Sequence, residues 1–257
     1  MKITAVVAFL AVAFASVSCK GQPEASFTKI DTICFDVNEI RPPSDTIEAK
    51  SDTADSVFRL IKYAPVRCKA GFTDIKPDKN NRNIKFCVAA AFTSKELTFV
   101  VGDYVVQGRF VGQSPDAETG FCVILNGHPH IRKLSNNTDK VMIRAVESKG
   151  DFFKQMILVS DFKPVECTIF DKYRPTYRRA LVEKDGEFFV AESDDRLSIG
   201  EFQTMLMKIK AKNAIYLDMG TWSEGFYRNQ DNELISIGKQ IQSTKYQTNW
   251  LYFEKIE

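Results

Sequence analysis

Short runs rich in valine, isoleucine and phenylalanine recur along most of the chain, and turn residues bound each of them. Their length and their β-branched and aromatic side chains are typical of strands rather than helices. The dipeptides Asn126-Gly127 and Asp185-Gly186 are hairpin signals, and the second joins a strand over 179–184 to one over 187–191. The predicted strands are Ile84–Thr93, Leu97–Val106, Gly120–Leu125, Gln155–Ser160, Arg179–Val182, Phe188–Ala191, Ala214–Leu217 and Thr248–Phe253.

One helix is clear in the sequence. Ser198-Ile199-Gly200-Glu201 forms a capping box, and an apolar stripe at helical spacing follows it, with Asn213 as its end. A weaker helix is expected over Asp55–Lys62. The stripe residues are Phe202, Met205, Leu206 and Ile209. The expected class is therefore α+β, a single sheet-rich domain with few helices.

The N-terminus is predicted to be a targeting segment. An apolar run, Ile3–Val17, follows Lys2 and is too short to span a hydrocarbon core of ~30 Å, which favours a secretory signal. Ser16-Val17-Ser18 before Cys19 is similar to a bacterial lipobox without its usual first leucine. We expect residues 1–18 to be removed and Cys19 to carry lipid; ordinary signal cleavage nearby is the alternative.

Residues 19–54 are predicted to be a tether, and residues 55–257 the folded body. The tether mixes Pro, Ser, Thr, Asp and Glu, and Arg41-Pro42-Pro43 cannot hold regular structure. One short strand is possible within it, at Thr32–Val37. The expected location is the bacterial cell envelope, with the protein anchored by lipid at the outer membrane or the periplasmic face.

Charge excludes nucleic acid as a main partner. The chain has 35 Lys+Arg against 33 Asp+Glu, a net charge of +2, so it lacks the excess that a phosphate backbone requires. Any anionic ligand must therefore be bound by a few local arginines.

The cysteines and histidines favour no metal or disulfide framework. Five cysteines follow Cys19, without a CxxC pair, and Cys87 and Cys122 lie in apolar runs that predict buried thiols. Both histidines lie in His128-Pro129-His130, which predicts an exposed hairpin end in preference to a metal site.

A carboxylate and a turn follow the predicted strand Ala214–Leu217. The segment reads Asp218-Met219-Gly220-Thr221-Trp222-Ser223, and it is preceded by Arg178-Arg179-Ala180, the Asp185-Gly186 hairpin and the capped helix. This order, with upstream segments at Val88–Thr93, Thr119–Gly127 and Gln155–Val159, resembles the phosphodiester glycosidase family over roughly residues 84–228. The chain departs from the family at three places. The family often has Asn-Gly at the position of Ala90-Ala91, Thr at that of Arg179 and Gly at that of Met219.

The resemblance implies hydrolysis of a sugar-1-phosphodiester in an anionic phospho-glycan or glycolipid. It assigns catalytic roles to Arg178 and Asp218, which fall on the family's arginine and aspartate. An arginine fork can pair two phosphate oxygens, and strand alternation predicts that only one of Arg178 and Arg179 lines the site. Asp218 would act as base, as nucleophile or as ligand of a divalent cation. The predicted substrate-binding residues are Arg179, Gln155, Gly220, Thr221 and Trp222.

The residues leave alternatives open. Asp103, Glu192 and Glu224 are candidates for a second carboxylate, and the sequence does not rank them. Asp218 could simply cap its turn, and Gln155 could be a structural amide. The alternative function is a non-catalytic lipoprotein that keeps the fold to bind a glycan or a partner.

Overall fold

Three antiparallel sheets form most of the structure, a computed structural model that describes residues 25–36, 57–112, 119–167, 173–219, 223–238 and 244–256. The strands are β1 Ser26–Asp36, β2 Val57–Val66, β3 Cys68–Thr73, β4 Ile84–Ala89, β5 Tyr104–Val106, β6 Arg109–Val111, β7 Gly120–Leu125, β8 His128–Lys133, β9 Asp151–Gln155, β10 Ile157–Ser160, β11 Lys163–Pro164, β12 Arg179–Lys184, β13 Glu187–Ser193, β14 Asn213–Leu217, β15 Gly225–Arg228, β16 Leu234–Ile237 and β17 Trp250–Lys255. The helices are α1 Thr138–Glu147 and α2 Ile199–Lys208, with a short 3-10 helix at Thr244–Tyr246. The predicted α+β class is confirmed.

The strand orders are β1-β2-β13-β12-β14-β10-β11 in the first sheet, β16-β15-β4-β17-β3 in the second and β6-β5-β9-β7-β8 in the third. Alternate residues of all three sheets meet in one apolar core, which includes Phe72, Phe86, Phe153, Leu181 and Phe253. Helix α2 covers the other face of the first sheet, and α1 covers the third. Most of the apolar side chains are thus buried between layers.

Local signals predicted several elements correctly. Ser198 caps α2 in a reciprocal capping box with Glu201, and the Asp185-Gly186 hairpin joins β12 to β13. Cys87 and Cys122 are buried, and His128 and His130 are exposed.

Other expectations were wrong. A helix was expected over Asp55–Lys62, but its described residues, from Val57 onward, belong to β2, which pairs with β1 on one side and β13 on the other. Of the strand expected over Leu97–Val106, only β5 is regular. Helix α2 ends at Lys208 instead of near Asn213, because Lys210 has a left-handed φ of 60°.

Two further elements differ from expectation. Helix α1 was not predicted, although Val141, Met142, Ala145 and Val146 are spaced as one helical face and pack against the third sheet. The strand expected over Gln155–Ser160 divides at Met156 into β9, in the third sheet, and β10, in the first. This division places Gln155 where two sheets meet.

Strand β1 lies within the segment predicted as a tether and contains most of the short strand expected there. Ser26 pairs with Val66, whereas Ile61 of the same β2 stands opposite Glu192. Five strand residues at ~3.3 Å each span about 17 Å. The chain therefore enters the sheet about 17 Å from the level of Glu192.

The predicted signal peptide, Cys19 and most of the tether lie outside the described residues. In the ranges that are described, no helix is long and apolar enough to cross a membrane.

Candidate functional site

Buried polar side chains converge where β12 begins and where β13 and β14 end. The ends of β4 and β9 and the beginnings of β15 and β17 lie at the same place. A buried polar group costs free energy unless it is hydrogen-bonded, so a cluster of them is unusual. The buried polar residues here are Gln155, Arg178, Arg179, Glu192, Ser193, Asp218, Ser223, Thr244, Gln247 and Asn249.

Arg179 lies in the interior between the first two sheets and is fully buried. Its Nε and Nη2 donate to Glu192 Oε2 at 2.8 and 2.6 Å, and Nη2 also donates to the carbonyl oxygen of Ser223 at 2.9 Å. The β12–β13 register explains the ion pair, since Arg179 stands directly opposite Glu192. Its Nη1 has no hydrogen-bond partner among the described residues. The guanidinium thus has a fixed orientation, and within the described ranges the N–H groups of Nη1 remain available to a ligand.

Arg178 lies on the opposite face, as strand alternation predicted. Its Nε donates to the carbonyl oxygen of Leu197 at 3.0 Å, its Nη2 to that of Arg174 at 2.7 Å, and its Nη1 lies 3.4 Å from the hydroxyl of Tyr216. These bonds tie the beginning of β12 to the loop before α2. The Arg178 guanidinium is therefore committed to the protein's own oxygens.

Asp218 directly follows β14 and is buried. Its N–H donates to the carbonyl oxygen of Ala90 at 2.9 Å, and Gln155 Nε2 donates to the same oxygen at 3.3 Å. Gln155 Oε1 accepts from the N–H of Met156 at 2.7 Å. The predicted residues Gln155 and Asp218 are thus brought together, and the bonds of Gln155 to backbone favour the structural-amide interpretation.

Electrostatics place both arginines and Asp218 near Tyr216. Burial raises the pKa of the Tyr216 hydroxyl, Arg178 and Arg179 lower it, and Asp218 raises it. The Tyr216 hydroxyl is thus within electrostatic range of both arginines and of Asp218.

The segment before β17 closes the site, and sequence reasoning missed it. Asn249 holds Ala91 by two bonds, accepting from its N–H at 2.7 Å and donating to its carbonyl oxygen at 3.0 Å. Gln247 Nε2 donates to the carbonyl oxygen of Asn249 at 2.7 Å, and its N–H to that of Thr244 at 3.1 Å. Thr244 in turn is hydrogen-bonded to Glu224. The available signal was Gln247, directly before the predicted strand Thr248–Phe253, and Asn249 within that strand.

Hydrogen bonds and chain neighbours link these residues into a closed ring. Glu224 follows Ser223 in the chain, and Asp218 follows Leu217, which pairs with Arg179 between β12 and β14. We call it the polar ring. Its members are Arg179, Ser223, Glu224, Thr244, Gln247, Asn249, Ala91, Ala90 and Asp218.

The three candidate second carboxylates have different partners. Glu192 is bound to Arg179. Glu224 pairs with Lys76 and Lys79. Burial alone would raise the pKa of its carboxyl group, but the hydrogen bond from Lys79 and the charges of both lysines outweigh burial, so the pKa is lowered. Asp103 lies 3.3 Å from Lys154 Nζ. Glu192 is thus the candidate in direct contact with a predicted site arginine.

Gly220, Thr221 and Trp222 lie outside the described residues, so their predicted substrate-binding role stays a prediction. Within the described ranges, no group of three or more His, Cys, Asp or Glu residues is arranged to hold a metal ion. A divalent cation at Asp218 also stays a prediction.

Comparisons with known proteins show similarity in structure alone. No protein-family model matches the chain, and no curated protein matches it in sequence. The catalytic domain of zebrafish N-acetylglucosamine-1-phosphodiester alpha-N-acetylglucosaminidase, auto-inhibited by its pro-peptide, matches with a TM-score of 0.57 at 11% identity, over 93% of this chain and 85% of that one. A hypothetical protein from Synechocystis matches with a TM-score of 0.48 at 11% identity, over 79% of this chain and 61% of that one. The chain therefore has a fold like that of a phosphodiester glycosidase catalytic domain.

Proposed function

We propose that this protein hydrolyses a sugar-1-phosphodiester at the polar ring. The observation that carries the proposal is the buried Arg179 guanidinium beside the strand end that bears Asp218. Glu192 holds it, and its Nη1 has no hydrogen-bond partner in the described ranges of the chain. A buried donor without a partner costs about 1–3 kcal/mol, which a bound anion would recover. The likeness of fold to a phosphodiester glycosidase domain is consistent with this chemistry.

In the proposed reaction, Arg179 Nη1 donates to a non-bridging phosphate oxygen. Glu192 keeps the guanidinium plane fixed, so the anion is held without reorganisation. The Asp218 carboxylate deprotonates a water that attacks the anomeric carbon, or it attacks this carbon itself and forms a glycosyl ester, which a water then hydrolyses to release the sugar and regenerate the carboxylate. The bond from that carbon to the bridging oxygen breaks, and its electron pair leaves with the phosphate monoester. Because a phosphate is a good leaving group, the step does not depend on a general acid.

Arg179→Lys is expected to lower kcat/KM for a sugar-1-phosphate alkyl diester about 10- to 100-fold. Lysine keeps the charge but not the planar fork that Glu192 orients, and a charged hydrogen bond contributes about 1.5–3 kcal/mol. The matched control is Arg178→Lys, which breaks the bonds to Leu197 and Arg174 on the other face. It should lower the melting temperature and change kcat/KM no more than about threefold. Equal losses of kcat/KM in both variants would argue against Arg179 as the anion-binding residue.

Assays of turnover and binding with the wild-type protein distinguish hydrolysis from the non-catalytic alternative. Release of phosphate monoester from the diester, followed by ³¹P NMR, supports hydrolysis. Binding of the diester without turnover, unchanged in Asp218→Asn, would instead identify a glycan-binding protein that retains the fold.

The proposed location is the cell envelope, with lipid on Cys19 as the anchor. The chain enters the first sheet away from the polar ring, which would let the site face away from the membrane. Cys19→Ser is expected to move the protein from the membrane fraction to the soluble fraction, because the variant lacks the thiol that carries the one anchor we propose. Retention of the variant in washed membranes would contradict lipid anchoring through this cysteine.

A further inference from the structure

We propose that Gln247 Oε1 accepts a hydrogen bond from a hydroxyl of the substrate's sugar. This inference rests on the proposed function and adds the residue that recognises the sugar. Gln247 belongs to the polar ring, is 6% exposed, and its Oε1 has no hydrogen-bond partner among the described residues.

The orientation of the Gln247 amide follows from its neighbours. Nε2 donates to the carbonyl oxygen of Asn249 at 2.7 Å, and exchanging the amide nitrogen and oxygen would bring two acceptors together. Oε1 is therefore the atom directed away from Asn249. Since Asn249 is itself bound at both atoms to Ala91, the whole amide is held rigidly.

The polar ring thus has two buried atoms of opposite character. Arg179 Nη1 is a donor and Gln247 Oε1 an acceptor, and each lacks a partner within the part of the chain that is described. A sugar phosphate carries the complementary groups, phosphate oxygens that accept and hydroxyls that donate. If the hydroxyl that donates to Oε1 is deleted from the substrate, the amide oxygen is left unpaired in the complex. The site therefore discriminates strongly against the deoxy compound.

The test pairs a variant with a series of substrates. The probes are the methyl diesters of glucose 1-phosphate and N-acetylglucosamine 1-phosphate, and their analogues that each lack one hydroxyl. Gln247→Met keeps the size of the side chain and removes the acceptor; Gln203→Met is the control, since Gln203 donates to the carbonyl oxygens of Leu158 and Val165 beneath α2.

The expected result is a double-mutant cycle with one coupled hydroxyl. One deoxy analogue should lose about tenfold in kcat/KM with the wild type and with Gln203→Met, but less than twofold with Gln247→Met. If every analogue loses the same factor with wild type and Gln247→Met, the inference is wrong.

Failure of the proposed function can be distinguished from failure of this inference. Where no diester is turned over, calorimetric Kd values for glucose 1-phosphate and its deoxy analogues replace kcat/KM in the same cycle. If Gln247→Met does not fold, a crystal of the wild type soaked with glucose 1-phosphate supports the inference when a sugar oxygen lies within about 3.2 Å of Oε1 and overturns it when none does.

Discussion

Glu192→Ala is expected to lower the free energy of unfolding by about 3–5 kcal/mol. It leaves the fully buried Arg179 guanidinium without its carboxylate partner, and an uncompensated buried charge has a cost of this size. The effect should be clear in urea denaturation at pH 7, as a lower midpoint with an unchanged slope.

Two further variants separate charge from packing. Arg179→Met combined with Glu192→Leu removes both charges and should recover most of the loss, because desolvation of the pair no longer has to be offset. Glu254→Ala breaks an exposed ion pair, Lys69–Glu254 at 3.3 Å, and should cost less than about 1 kcal/mol. If the double variant is no more stable than Glu192→Ala, the uncompensated charge of Arg179 is not the cause of the loss.

Asp218→Asn is expected to lower kcat for the sugar-1-phosphodiester about 10²- to 10⁴-fold. The amide is nearly the same size but neither attacks the anomeric carbon nor accepts a proton from water, and loss of a general base has this effect. The bond from its backbone N–H to the carbonyl oxygen of Ala90 does not involve the side chain and remains available in the variant.

Stopped assays of phosphate monoester release, together with melting curves, measure both outcomes. Asp103→Asn is the control, since Asp103 contacts Lys154 and lies outside the polar ring; its kcat should stay within about threefold of wild type. A variant Asp218→Asn that folds and turns over at more than a tenth of the wild-type rate would remove Asp218 from the proposed mechanism.

The sequence predicted the sheet-rich class because most of its signals are local. A hairpin depends on two residues such as Asp185-Gly186, and a capping box on the four from Ser198 to Glu201. Arg178 and Arg179 are on opposite faces, as the period of two requires. By contrast, β2 could not be distinguished from a helix, since its pairing with β1 and β13 decided its conformation.

Only the tertiary structure determined how the site is assembled. The bonds between Asn249 and Ala91 join residues 158 positions apart, and the bond from Arg179 to the carbonyl oxygen of Ser223 joins residues 44 apart. Nothing in either local segment encodes such a pairing. From the sequence alone, the arginine pair and Asp218 could be identified as candidates. Packing of the sheets bound Arg178 to backbone oxygens and left Arg179 Nη1 without a partner among the residues that the structure describes, because a buried donor's partners are set by which strand ends meet in space.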